Sequence, residues 1–79
     1  MNYELQHLIE MINQISDNNL HHGEAEHAAE MVATHLIKFW ARSMKDQIIS
    51  YAENDGSELN QVSKLAVERL KAWRQAKAS

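Results

Sequence analysis

Apolar residues recur along this chain every three or four positions, and that spacing predicts helices rather than strands. Leu5, Leu8, Ile9, Ile12 and Ile15 form a first stripe, with His7, Glu10, Gln14 and Asp17 on the opposite side. Asp17, Asn18 and Asn19 favour local side-chain to backbone bonds and close that helix. A second stripe joins Ala25, Ala28, Ala29, Val32, Leu36, Phe39 and Trp40, small residues first and aromatics last. The small end lets a neighbouring helix approach closely, while Met31 and Ile37 fall off this stripe. Met44, Ile48, Tyr51 and Ala52 make a third, with Ser43 as its expected N-cap, Asp46 three residues on, and Ile49 off the stripe. Asn54-Asp55-Gly56 is a strong stop signal. Ser57 is the expected cap of a fourth helix carrying Leu59, Val62, Ala66, Leu70 and Trp73, with Leu65 off its stripe. The pattern predicts an all-α fold: a small bundle of three to four helices, about 3–19, 24–40, 43–53 and 57–77, in a single helical domain over residues 1–79. No Pro or Gly separates the second and third segments, and a kink or short break is expected near Trp40 rather than one long helix.

Composition narrows the classes. Pro is 0 and Gly is 2, too little turn chemistry for a sandwich or barrel. Cys is 0, so disulfides and thiolate metal sites are excluded. No apolar run nears the roughly 18 to 20 residues that cross a bilayer, and Met1 to Ile12 lacks the features of a signal peptide. A cytoplasmic protein is expected. A chain this short buries only about 60% of its unfolded surface, so a partner or self-association is an expected source of stability.

Charge is unevenly placed. The formal net charge is -3, yet Glu4, Glu10, Asp17, Glu24, Glu26 and Glu30 precede any Lys or Arg, and all eight bases lie from Lys38 onward. Five of them, Lys64, Arg69, Lys71, Arg74 and Lys77, sit on the fourth segment.

Candidate chemistry is sparse. His21, His22, Glu24, Glu26 and His27 are the one cluster with metal-ligating residue types, but no HExxH occurs and a solvated loop explains them. The sequence has no phosphate-cradling Gly loop, and its acids are scattered rather than paired. No catalytic, cofactor or metal residues are assigned. Adjacent Phe39 and Trp40 point about 100° apart on a helix, so both rings cannot face one small core. With Met44 nearby and Lys38 as a polar rim, the expected docking surface is His35, Lys38, Phe39, Trp40 and Met44.

Three blocks carry a family resemblance. They are Met11-Ile12-Asn13-Gln14-Ile15, His35-Leu36-Ile37-Lys38-Phe39-Trp40 followed by Met44, and Leu59 to Leu70 ending in Ala66-Val67-Glu68-Arg69-Leu70. In this order they resemble the delta subunit of cytoplasmic NAD-dependent (molybdenum or tungsten) formate dehydrogenases, whose members typically read M-A-N-Q-I, then H-[IL]-[RK]-[RK]-F-W-[DE]-P-R-M, then L-x-P-x-V-x-x-A-[LV]. The resemblance spans about residues 4–70. It departs after Trp40, where Ala41 and Arg42 replace an acid and a Pro, and at Gln61, which replaces the second Pro. An acid-Pro pair reads as the N-cap and first residue of a helix; here Ser43 is expected to take the cap.

The resemblance implies an accessory, non-catalytic subunit that helps assemble or stabilise the large catalytic subunit. The holoenzyme would carry its molybdopterin, iron–sulfur clusters, FMN and NAD on other subunits, leaving none on this chain. The isolated chain is expected to form homo-oligomers or be marginally stable. The alternative from a different class is a small helical regulatory or nucleic-acid-binding module, supported by the basic fourth segment. Five bases on one terminal helix support it weakly, so nucleic acid is not the expected partner. A histidine-rich metal carrier is a further rival.

Overall fold

The computed structural model describes residues 3–19 and 24–78. Four helices appear where the apolar stripes run, and there is no strand among the described residues: α1 (Tyr3–Asn19), α2 (Ala25–Phe39), α3 (Arg42–Asn54) and α4 (Gln61–Ala78).

Helix α2 is the centre of the molecule. Its Ala28, Ala29, Val32, Ala33 and Leu36 are all buried, and its most extensive contact is with α4. Small side chains on both partners, Ala28 and Ala29 on α2 and Ala66 on α4, are fully inaccessible and let the backbones come close. Leu8, Ile9 and Ile12 of α1, Ile48 of α3, and Leu59, Val62, Val67 and Leu70 along the fourth segment complete one core. The Cα radius of gyration is 11.6 Å, which equals the roughly 11.6 Å expected for a folded chain of this length.

The break between α2 and α3 is sharp. Trp40 has extended backbone (φ -85, ψ 140), and its N–H makes the last helical bond to the Leu36 carbonyl at 3.0 Å. The α3 N-cap is Ala41 and not Ser43, which lies inside the helix. Ala41 has no side-chain oxygen, so α3 starts without a side-chain cap. The cap and first helical residue therefore fall on Ala41 and Arg42, the two positions of the acid-Pro pair in the family pattern.

The start of α4 is also later than the expected cap at Ser57. Ser57 instead donates to Asp55 at 2.9 Å. Gly56 turns the chain with φ +70, and a Cβ there would lie 3.2 Å from the Ala52 carbonyl oxygen, so this turn needs glycine. The true cap is Asn60, whose Oδ1 accepts from the Ser63 N–H at 2.8 Å. Gln61 is then the first helical residue, again where the family pattern has its proline.

A polar network ties this cap to α1. Asn13 donates to the Glu58 carbonyl at 2.8 Å. Its Oδ1 accepts from the Asn60 N–H at 3.0 Å and from the Ser63 hydroxyl at 2.8 Å. With that proton committed, the fully buried Ser16 hydroxyl must donate to Ser63, 2.7 Å away. Tyr51 accepts the Glu58 N–H at 2.9 Å. Every member is satisfied, which is the condition under which a buried polar network stabilises a fold. Asn13 of the first resemblance block thus serves structure.

Candidate partner interface

The end of α2 sorts its two aromatics to opposite sides. The helix stops at Trp40, whose extended backbone takes the indole into the core at 5% exposure, while Phe39 stands out at 72%. Trp40 Nε1 is buried and has no hydrogen-bond partner.

Phe39 does not stand alone. Met31, His35 and Phe39 are spaced i, i+4, i+8 and form one row along α2, about 12 Å long at 1.5 Å per residue. The His35 and Phe39 ring centroids are 4.9 Å apart with planes tilted by 47°. Met31 is 45% exposed. Lys38 is exposed beside the row, and Met44 is half-buried against the core at the start of α3. Of the five expected docking residues, the geometry therefore presents His35, Lys38 and Phe39 outward and turns Trp40 inward beneath them. Met31 joins the outer row, a membership that its i, i+4 spacing to His35 already carried. The other off-stripe residues, Ile37, Ile49 and Leu65, are half-buried against the core, so the exposed large apolar groups among the described residues are Met31 and Phe39.

A second feature lies where the start of α3 meets the end of α4. Arg42, Lys45, Trp73, Arg74 and Lys77 line a groove of about 320 Å³. Lys45 is 9% exposed; its Nζ donates to the Ile37 carbonyl at 3.2 Å and lies 5.0 Å from the Trp73 ring centroid. Lys77 Nζ lies 4.8 Å from the same centroid. Trp73 lies on the apolar stripe of the fourth segment and is half-buried against the core, while nothing along the chain sets Lys45 apart. Packing of α3 on α4 alone brings the i, i+3 pair Arg42 and Lys45 to Trp73, Arg74 and Lys77.

The basic face of α4 is partly neutralised by α3. Lys71 pairs with Glu53 at 2.6 Å, and Arg74 pairs with Asp46. These are surface pairs, worth at most about 1 kcal/mol each, but they interrupt any continuous basic stripe. His21 and His22 lie outside the described residues. Among the described residues no group of three His, Asp or Glu is placed to hold a metal, and Glu24, Glu26 and His27 are exposed. Among the described residues no helix is long and apolar enough to cross a membrane.

Fold and surface together define a small four-helix protein whose distinctive groups lie on its outside, at the ends of α2, α3 and α4. The chain belongs to the formate dehydrogenase delta-subunit family: the family model described as "NADH-dependant formate dehydrogenase delta subunit FdsD" matches residues 7–67 of its 79. Membership implies association with other formate dehydrogenase subunits. No curated protein and no solved structure matches the chain.

Proposed function

We propose that this chain is a cytoplasmic, non-catalytic accessory subunit that binds the large catalytic subunit of NAD-dependent formate dehydrogenase and assists its assembly or stability. Family membership supports the complex. A chain with no cysteine has no thiolate to hold an iron–sulfur cluster, which supports placing the redox groups on other subunits. The docking surface is the outer row of α2 with the adjoining corner of α3: His35, Lys38, Phe39 and Met44, extended to Met31 and braced from inside by Trp40.

The observation that carries this reading is Phe39. A phenylalanine with nearly three-quarters of its surface in water gains little from this fold beyond its ring contact with His35, and large exposed apolar groups clustered in a row mark contact surfaces. A subunit that binds only the folded form of its partner stabilises it by mass action, so docking and stabilisation are one effect.

Two substitutions test this. Phe39→Ala is expected to leave thermal unfolding of the isolated chain nearly unchanged and to weaken binding to the large subunit by about 2 kcal/mol. Trp40→Ala removes a buried ring and is expected to cost about 3 to 5 kcal/mol of folding stability. Calorimetric melting paired with a binding titration reads both. Normal binding by the Phe39 variant defeats the docking assignment.

A further inference from the structure

The groove between α3 and α4 holds four cations and one aromatic ring on a chain whose formal net charge is -3. Like charges are held together there against their repulsion. Only Arg74 has an acidic partner among the described residues, Asp46. Lys45 uses one donor on the Ile37 carbonyl and shares the face of Trp73 with Lys77. Arg42 and Lys77 are exposed.

We propose that this groove seats an acidic peptide segment of the partner subunit, deepening the accessory-subunit reading on which it rests. Carboxylates of the segment are held by Arg42 and Lys77 at the open rim and by Arg74, which Asp46 keeps aimed along the wall. The segment's aliphatic stems cover the exposed part of Trp73. Arginine forks match carboxylates in bidentate pairs, and an aromatic beside arginine is the composition that anchors protein interfaces.

The occupant is a protein segment rather than a nucleic acid for two reasons. The pocket volume, about 320 Å³, fits a few side chains and does not extend into a track of phosphate sites. Beyond it, the pair Lys71–Glu53 breaks the basic surface, Asp46 already offsets part of the charge on the groove wall, and the acids of α1 and of the first half of α2 repel a long polyanion. The groove also adjoins the proposed docking corner, since Arg42 follows Trp40 by two residues and Lys45 follows Met44 directly.

The test uses the full chain and a formate dehydrogenase complex from which it has been removed. Binding is titrated at low and high salt for the wild type, for Arg42→Glu/Lys77→Glu and for the milder Arg42→Gln/Lys77→Gln, with circular dichroism confirming each fold. The reversed variant is expected to bind on the order of ten-fold more weakly at low salt and to lose most of the salt dependence. The neutral variant should fall between it and the wild type. Phe39→Ala should weaken binding while keeping the wild-type salt dependence. Wild-type affinity and salt response in both groove variants overturn the groove assignment and leave the accessory-subunit reading standing. Groove-dependent binding to an oligonucleotide duplex, with none to the enzyme, overturns it in favour of nucleic acid. Failure of the wild-type chain itself to bind the enzyme defeats both readings together.

Discussion

Asn13 shows how much one side chain determines here. It lies half-buried on α1, yet it satisfies a carbonyl at Glu58, an N–H at Asn60 and the hydroxyl of buried Ser63. Removing it takes away the acceptor of the fully buried Ser63 hydroxyl and of the part-buried Asn60 N–H, and such losses cost about 1 to 3 kcal/mol. Asn13→Ala is expected to destabilise the protein by about 2 kcal/mol in chemical denaturation, with little effect on partner affinity once folded. A change in affinity without a change in stability would move Asn13 from the fold to the interface. Gly56 acts at the same scale. Its positive φ sets the turn that brings Glu58 and Asn60 to Asn13, and no side chain fits against the Ala52 carbonyl without adjustment.

At the scale of elements, the helix starts decide the shape. Helices α3 and α4 begin at Arg42 and Gln61, and their preceding residues differ in one respect: Asn60 caps with its side chain and Ala41 has nothing to cap with. Helix α3 is held at its start by packing instead, through Met44, Ile48 and the Lys45 bond to the α2 carbonyl of Ile37. Ala41→Asp supplies an acceptor for the free N–H groups of the first turn and a charge that suits the helix dipole. It is expected to raise stability by about 1 kcal/mol, visible as a higher melting temperature. An unchanged or lower melting temperature would show that the extended backbone at Ala41 (φ -65, ψ 158) does not aim the side chain at that turn.

For the whole molecule the balance lies between a closed core and a surface that is not wholly water-like. Fifteen buried apolar residues form one core, yet Phe39 and Met31 remain in solvent as large apolar groups among the described residues. With no disulfide and only 79 residues, the isolated chain is expected to melt within the mesophile range, about 45–65 °C, or to self-associate as concentration rises. Sedimentation and calorimetry on the purified chain check this. A strict monomer melting above about 90 °C would contradict it. Half-burial of Ile37, Ile49 and Leu65 makes the exposed patch narrow and centres it on the row of α2.

The all-helical class and the core were legible in the sequence because both are periodic. Leu8, Ile9, Ile12, Val32, Leu36, Ile48, Val62, Ala66 and Leu70 recur at the spacing of one helix face, and burial follows spacing wherever a neighbour covers that face. The family was legible too, because Asn13 and the block from His35 to Trp40 are ordered along the chain. What periodicity does not carry is the end of an element. Spacing admits Phe39 both to the core stripe of α2 and to the row of Met31 and His35; packing leaves that row in water, and the end of the helix turns Trp40 inward. Ser43 and Ser57 have the right side chains for caps, while Ala41 and Asn60 hold those places. The cap of α4 depends on Asn13, 47 residues away along the chain from Asn60. The cationic groove joins Arg42 and Lys45 to Trp73, Arg74 and Lys77 across two helices. Neighbour relations along a helix are local and written in the chain; contacts between helices exist only once packing has chosen which faces meet.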